Sequence, residues 1–250
     1  MTISHLDLSV TLRKDHPTME VMFNSIAHKY DLINRIGSFG LDAFWRRRLV
    51  NELKKHQPHN VLDLACGTGA LSWLIYRKLK VQVTGLDLSL LMLEIAKTRP
   101  RSFLHQADLP NSTPPLFLKG CAEYLPFEGH SFDAVTIAFG IRNFNNPQKA
   151  LQESFRVLKP GGLLLILDFA SPKNRIWKFF FHIYFRFILP LFGRIVSNNK
   201  NAYLYLPQSV SKFPQYHIFC NLISQCGFVD VYHRPFTGGV AVLYSGLSPK

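Results

Sequence analysis

The chain has 250 residues, 47% of them hydrophobic, enough to bury one substantial core, so one domain is the expectation. Lys and Arg number 29 against 16 Asp and Glu, a formal charge of +13 that suits anionic surroundings, either nucleic acid or an acidic lipid surface. The four cysteines, Cys66, Cys121, Cys220 and Cys226, have neither Cys-x-x-Cys spacing nor the density of a secreted scaffold, which argues against disulfides and structural zinc and for a reducing, cytosolic setting.

Residues 1–18 mix Asp7, Arg13, Lys14 and Asp15 with isolated apolar residues, lack the apolar core of a signal peptide, and are expected to be a flexible tail. No repeat is visible, and no uncharged run reaches the roughly 18 apolar residues of a membrane-spanning helix, so a soluble or peripherally bound protein is expected. Two leading helices are predicted, about Glu20 to Arg35 and Leu41 to His56.

Next comes the most informative stretch, Asn60-Val61-Leu62-Asp63-Leu64-Ala65-Cys66-Gly67-Thr68-Gly69. It reads as a short strand with an acid near its end, then a glycine turn opening a helix. Such a turn places backbone at the carboxyl edge of a parallel sheet, where ligands bind, and Gly67 and Gly69 carry no Cβ to block approach. A Gly-x-Gly turn alone also suits dinucleotide enzymes and ordinary turns. Here the third glycine position is Ser72, and Asp63 would repel a diphosphate while suiting the ammonium and sulfonium of S-adenosylmethionine. The turn therefore predicts an S-adenosylmethionine site that includes Asp63, Gly67, Thr68 and Gly69.

Val81 to Asp87 reads as a second strand ending in an acid that can accept two hydrogen bonds from a ribose diol. Ser89 then caps a helix, Leu90 to Lys97. Its Met92 either packs on an adenine face or fills the core, and the sequence supports the two equally. Pro100 to Pro115 is a polar, proline-rich loop. Strands follow at Leu116 to Gly120, Asp133 to Phe139 and Gly162 to Phe169, each apolar enough to be buried on both faces of a parallel sheet. After the third strand, Cys121 and Ala122 are expected at the adenine edge, although a thiol is a poor acceptor for an adenine amino group. Lys159-Pro160-Gly161-Gly162 reads as a turn.

Arg175 to Pro190 puts Lys178, His182 and Arg186 on one stripe of an otherwise aromatic and aliphatic helix. That pattern fits a core or dimer contact, and also an outer face dipping among anionic headgroups. The last two runs, Phe228 to Arg234 and Gly239 to Gly246, are joined by Pro235-Phe236-Thr237-Gly238, too short for a helical crossover, so they are predicted to pair antiparallel.

From about Met22 to its end the chain resembles the ubiquinone and menaquinone biosynthesis C-methyltransferases. The likeness is carried by Phe23 to Asn34 leading to Ser38-Phe39-Gly40 and Trp45, by Leu62-Asp63 to Gly69, by Phe139-Gly140-Ile141-Arg142-Asn143, and by Arg156 to Gly162; Tyr203 to Ser209, Phe213-Pro214 and Thr237 to Ala241 extend it. Departures from that pattern fall at Asp42, Ala70, Cys121 and Ala138.

The resemblance implies an α/β fold, a Rossmann-like class I S-adenosylmethionine-dependent methyltransferase with a mostly parallel seven-stranded sheet and an antiparallel C-terminal hairpin. It implies one domain over 19–250 with a helical insertion at about 172–212. It also implies methylation of a ring carbon of a polyprenylated quinol, foremost demethylmenaquinol, with a 2-methoxy-6-polyprenyl-1,4-benzoquinol as a further acceptor. Tyr30, Arg142 and Asn143 fall on the acceptor side; Asp63, Gly67, Thr68, Gly69, Asp87, Met92, Cys121, Ala122 and Ala138 fall on the cofactor side. The displacement needs no metal. Expected partners are the quinol and the inner face of a membrane, with a homodimer left open and no nucleic acid. Methylation of another lipid or phenol is the second reading. An RNA-binding or non-catalytic subunit ranks low, because no RNA-binding module or Asn-Pro-Pro-Tyr turn is present. His28 and His182 read as solvated or core histidines, and Asp133 and Asp168 as strand-end acids that satisfy loop amides.

Overall fold

The computed structural model describes residues 14–99, 113–173 and 208–250. Most of the expected tail (1–13), most of the proline-rich loop (100–112) and the segment 174–207, with its amphipathic run, lie outside the described residues.

Three helices lead, α1 (His16–Ile26), α2 (Tyr30–Gly37) and α3 (Leu41–Lys55), followed by β1 (Asn60–Leu64), α4 (Ala70–Leu79), β2 (Gln82–Asp87), α5 (Leu90–Thr98) and β3 (Leu116–Lys119). The second half holds β4 (Phe132–Ala138), α6 (Pro147–Val157), β5 (Leu158–Phe169), α7 (His217–Gln225), β6 (Val229–Phe236) and β7 (Ala241–Leu247). The seven strands make one sheet in the order β3-β2-β1-β4-β5-β7-β6. Pairing from β3 through β5 is parallel, and β7 runs antiparallel to both neighbours. This is the expected sheet.

Strand period 2 explains the two-faced core. Leu62, Leu64, Val135, Ile137, Leu164 and Ile166 pack against α6 and α7 through Leu151, Phe219 and Ile223. Val61, Val83, Ala134, Leu165 and Leu167 face the other way, onto Trp45 and Leu49 of α3 and Ile75 of α4. Helices on both faces leave the carboxyl ends of the strands as the open edge, which is where the site forms. Among the described residues no helix is long and apolar enough to cross a membrane.

Three expectations shift. The leading helix begins at His16, inside the stretch read as tail, because the Asp15 side chain accepts the Thr18 amide at 3.0 Å and Pro17 occupies the first turn. It then breaks at a 3-10 turn, Ala27–Lys29, where Ile26 and Ala27 bend onto Met92. Lys159 to Gly162, expected as a turn, is a bulge within β5: Phe132 pairs with Leu158 and Ala134 with Leu163, both in parallel, and Gly161, at φ +75°, donates its amide to the carbonyls of Ser248 and Pro249. β6 runs through Pro235 to Phe236, which an edge strand tolerates, and the reversal moves to Thr237–Gly239.

Gly85 of β2 sits in a close contact under the site: an added Cβ would stand 2.7 Å from Phe117 Cδ1 and 2.9 Å from Cys66 Sγ. Gly85→Ala is expected to cost about 1–3 kcal/mol through overpacking. Phe117→Leu in the same chain should return part of that loss, so the two changes are non-additive in urea unfolding. Strict additivity would show that the ring is not the obstacle.

Candidate active site

At the open edge β1 and β4 both end on a non-glycine residue in the left-handed region, Ala65 at φ +50° and Phe139 at φ +63°. Such backbone is costly unless the surroundings hold it, and it concentrates at functional sites. The two tips nearly touch, since a Cβ on Gly140 would lie 2.6 Å from that of Ala65. Between them and α1 lies a cavity of about 60 Å³, walled by Gly67 and Asp87 from the first two strand ends, Ala122 after β3, Asn143 after β4, Met92 of α5, and Tyr30, Phe23, Met19 and His16 from the leading helices.

Asp87 sits on the rim. One carboxylate oxygen accepts the Gly67 amide at 2.8 Å and the other the Ser89 amide at 2.9 Å, so each keeps a lone pair for a diol. Gly67, at φ +54°, is open on the cavity side, where an added Cβ would meet only the Tyr30 ring at 3.7 Å. Gly69 has a packing reason to be glycine: at φ +74° its Cβ would strike Phe117 at 2.9 Å and Ala96 at 3.0 Å. Met92 is buried against Ile26 and Ala27 while also lining the cavity. Ala122 lines the wall. The Cys121 thiol points elsewhere, donating to Glu123 at 2.8 Å, and burial with that carboxylate pushes it up to about 12.

A narrow crevice continues from Tyr30, Ala65 and Gly67 past Asp63, Thr68 and Ala138 to Arg46. Asp63 is 1% exposed and accepts hydroxyl hydrogen bonds from Ser72 at 2.5 Å and Thr136 at 2.9 Å. Burial, only partly offset by those bonds, raises its pKa to about 6. The Thr68 hydroxyl donates to Asp31 at 2.7 Å and accepts from Arg99 at 2.8 Å, knitting the glycine turn to α2 and the end of α5. Arg46 is buried, pairs with Asp42 and stacks on Phe139 with its guanidinium carbon 5.2 Å from the ring centre.

Of the residues expected on the acceptor side, Tyr30 and Asn143 line the cavity. The cap ahead of Pro147 is Asn146, whose side chain accepts the Lys149 amide at 3.0 Å. Burial raises the Tyr30 pKa, with Asn34, Arg142 and Arg46 opposing the rise. Arg142 is buried beneath the cavity rather than in its wall. Its Nη1 pairs with Asp168 and donates to the Phe139 carbonyl at 2.8 Å, its guanidinium stacks on Phe169, and Nε has no partner among the described residues. Lys14 Nζ donates to the Arg142 carbonyl at 2.7 Å. Asp168 thus anchors the Arg142 side chain and accepts two amides, that of Arg142 in the turn after β4 at 3.4 Å and that of Phe169 at the end of β5 at 2.7 Å. Asp133 accepts the His59 and Asn60 amides and Lys159, and His28 is exposed, as their residue patterns implied.

Sequence reading overlooked His16, Met19, Glu123 and Arg46. The Asp15-x-x-Thr18 cap with Pro17 was a visible signal for the first two. Arg46 gave none, being one of three consecutive arginines distinguished only by the fold.

The model of the ubiE/COQ5 methyltransferase family matches residues 11–248. A demethylmenaquinone methyltransferase of Porphyromonas gingivalis is 41% identical over 231 residues, covering 92% of each chain. A ubiquinone/menaquinone biosynthesis C-methyltransferase UbiE of Syntrophotalea carbinolica is 42% identical over 226 residues, 90% of this chain and 92% of that one. Among solved structures, an S-adenosylmethionine-dependent methyltransferase of Thermotoga maritima, described as a possible histamine N-methyltransferase, superimposes with a TM-score of 0.61 at 19% identity, over 92% of this chain and 99% of that one. At that identity the likeness speaks for the fold.

The raised Asp63 pKa fixes a sign. Between roughly pH 4 and 6 the folded chain keeps a proton that the unfolded chain has released, so this group lowers stability as pH climbs through that window. Asp63→Asn should therefore gain on the wild type by about 2–3 kcal/mol between pH 4 and pH 7.5, as seen in urea midpoints. A gain that is the same at both pH values would show that burial does not raise the Asp63 pKa.

Proposed function

The chain belongs to the ubiE/COQ5 methyltransferase family and is an S-adenosylmethionine-dependent methyltransferase; from that premise we propose that it methylates a ring carbon of a polyprenylated quinol, demethylmenaquinol foremost. The observation that carries the reading is a single cavity in which Asp87 and Gly67 on one wall face Tyr30 and Asn143 on the other.

S-adenosylmethionine supplies the methyl group as an electrophilic sulfonium. In this reading Asp87 accepts the ribose hydroxyls, while Met92 and Ala122 flank the adenine. Asp63 lies along the crevice as counter-charge for the ammonium, and Arg46 at its far end as counter-charge for the carboxylate. The charges of Asp63 and Arg46 match the two ends of an amino acid. Thr68, Gly69 and Ala138 shape the turn and the crevice. Cys121 acts indirectly, through the backbone that presents Ala122.

A quinol hydroxyl has a pKa of roughly 10, so electron density reaches the ring carbon only as the proton is shared or lost. Asn143 hydrogen-bonds a ring oxygen, and Tyr30 positions the ring and relays a proton. Arg142, fixed by Asp168, lends positive potential from beneath the ring oxygen without leaving its partner. Alignment supplies much of the rate, because a carbon and a methyl held about 3 Å apart react as one molecule. We read residues 19–250 as one domain with an insertion at about 172–212, and the charge of +13 as support for docking on the inner, anionic face of a membrane, where a prenyl tail is at home.

Purified protein with S-adenosylmethionine and short-chain demethylmenaquinol should yield quinol heavier by one methyl. Unchanged quinol, with methylation of another phenol or of a lipid amine, would replace this reading. Tyr30→Phe is expected to lower kcat on the order of 10²-fold with cofactor affinity kept. Asp87→Ala should do the reverse, weakening the cofactor on the order of 10-fold or more through lost charge-assisted hydrogen bonds. Isothermal titration beside steady-state kinetics separates the two, and identical profiles would refute the division of the cavity.

A further inference from the structure

We propose that His16, Cys121 and Glu123 form a binding site for a thiophilic divalent cation of the zinc type, placed at the rim of the cavity and outside the methyl-transfer chemistry. The proposal does not depend on which quinol is the substrate. One nitrogen, one sulfur and one carboxylate oxygen from these residues lie within 4.8 Å of one another. Cys121 Sγ is 3.4 Å from His16 Nε2, and His16 Nε2 is 3.4 Å from Glu123 Oε1.

Tetrahedral zinc, with bonds of about 2.3 Å to sulfur and about 2.0 Å to nitrogen or oxygen, sets its ligand atoms roughly 3.3–3.5 Å apart. The sulfur-to-nitrogen and nitrogen-to-Oε1 separations already have that length. The other carboxylate oxygen, Oε2, stands 2.8 Å from Sγ, drawn in by the thiol proton. On metal binding the S–H bond breaks and its proton leaves to solvent, while the sulfur keeps the electron pair and donates it to the metal.

The donor set selects the metal class. Imidazole and thiolate favour zinc or cobalt and disfavour magnesium or calcium, which want oxygen alone. Three protein ligands leave a fourth position for water. Glu123 is 3% exposed and held in place by the amides of Asn145 and Asn146, at 3.0 and 3.2 Å to Oε1, the kind of outer support that orients a ligating carboxylate. No sequence spacing announces the site, because His16 comes from α1 and the other two from the turn after β3. A bound cation would staple that helix across the cavity mouth.

The test titrates Co²⁺, then Zn²⁺, into the purified full chain. One equivalent of cobalt should bind with a sulfur-to-cobalt charge-transfer band that zinc displaces. The band should vanish in Cys121→Ser and weaken in His16→Ala, and persist in Cys220→Ser, which removes the cysteine 3.5 Å from His233. Zinc should also slow amide hydrogen exchange in residues 16–26 of the wild type and not of Cys121→Ser. A missing band, a band that survives Cys121→Ser, or exchange in α1 that ignores zinc would overturn the site.

Discussion

A carboxylate sits in the middle of this sheet, and the rest of the edge is arranged around it. Asp63 is flanked in register by Thr136 on β4, and α4 returns over β1 so that Ser72 reaches the second oxygen. Two hydroxyls cannot replace the solvation of a full charge, which is why burial still dominates its pKa. The sheet thus carries a negative centre that is held in place and under-compensated. Arg46 and Gly67 open onto the same crevice, so a cationic ligand group there would relieve the deficit.

The cover over the cavity is built differently from the sheet beneath it. Met19 and Met22 form a small apolar cluster with Phe23, and Ile26 and Ala27 pack on Met92. Otherwise the cover is tied down by polar contacts in succession along the chain: Lys14 to the Arg142 carbonyl, His16 to Glu123, Glu20 to Lys119, and Asn24 accepting from Ser89. Partly exposed ion pairs contribute little, on the order of 0–1 kcal/mol each.

The parts legible in sequence are those whose cause is local. The first strand, its glycine turn and the paired last strands follow from apolar runs, positive-φ residues and connection length, and the sheet matches them strand for strand. The misread parts depend on distant partners. Helix α1 stops at Ile26 because Met92 is there, Pro235 fits a strand because β6 is an edge, and Lys159 to Gly162 stays in the sheet because residues 248 and 249 supply its hydrogen bonds. Arg142, expected on the acceptor side, is held by Asp168. No pattern within either segment could reveal that pairing.

The same long-range charges decide what Tyr30 can do. Its hydroxyl pKa is raised by burial, and the opposing influence of Asn34, Arg142 and Arg46 does not reverse the rise. A phenol whose pKa lies above its ordinary value is protonated throughout the neutral range, so Tyr30 is a donor and not a resting base. Under the proposed reading, a quinol proton that leaves by way of Tyr30 would pass in concert, one proton in as another goes out. On the same reading, the wall would lower the barrier by stabilising a developing ring oxyanion, through the Tyr30 hydroxyl, Asn143 and the potential of the Arg142 guanidinium.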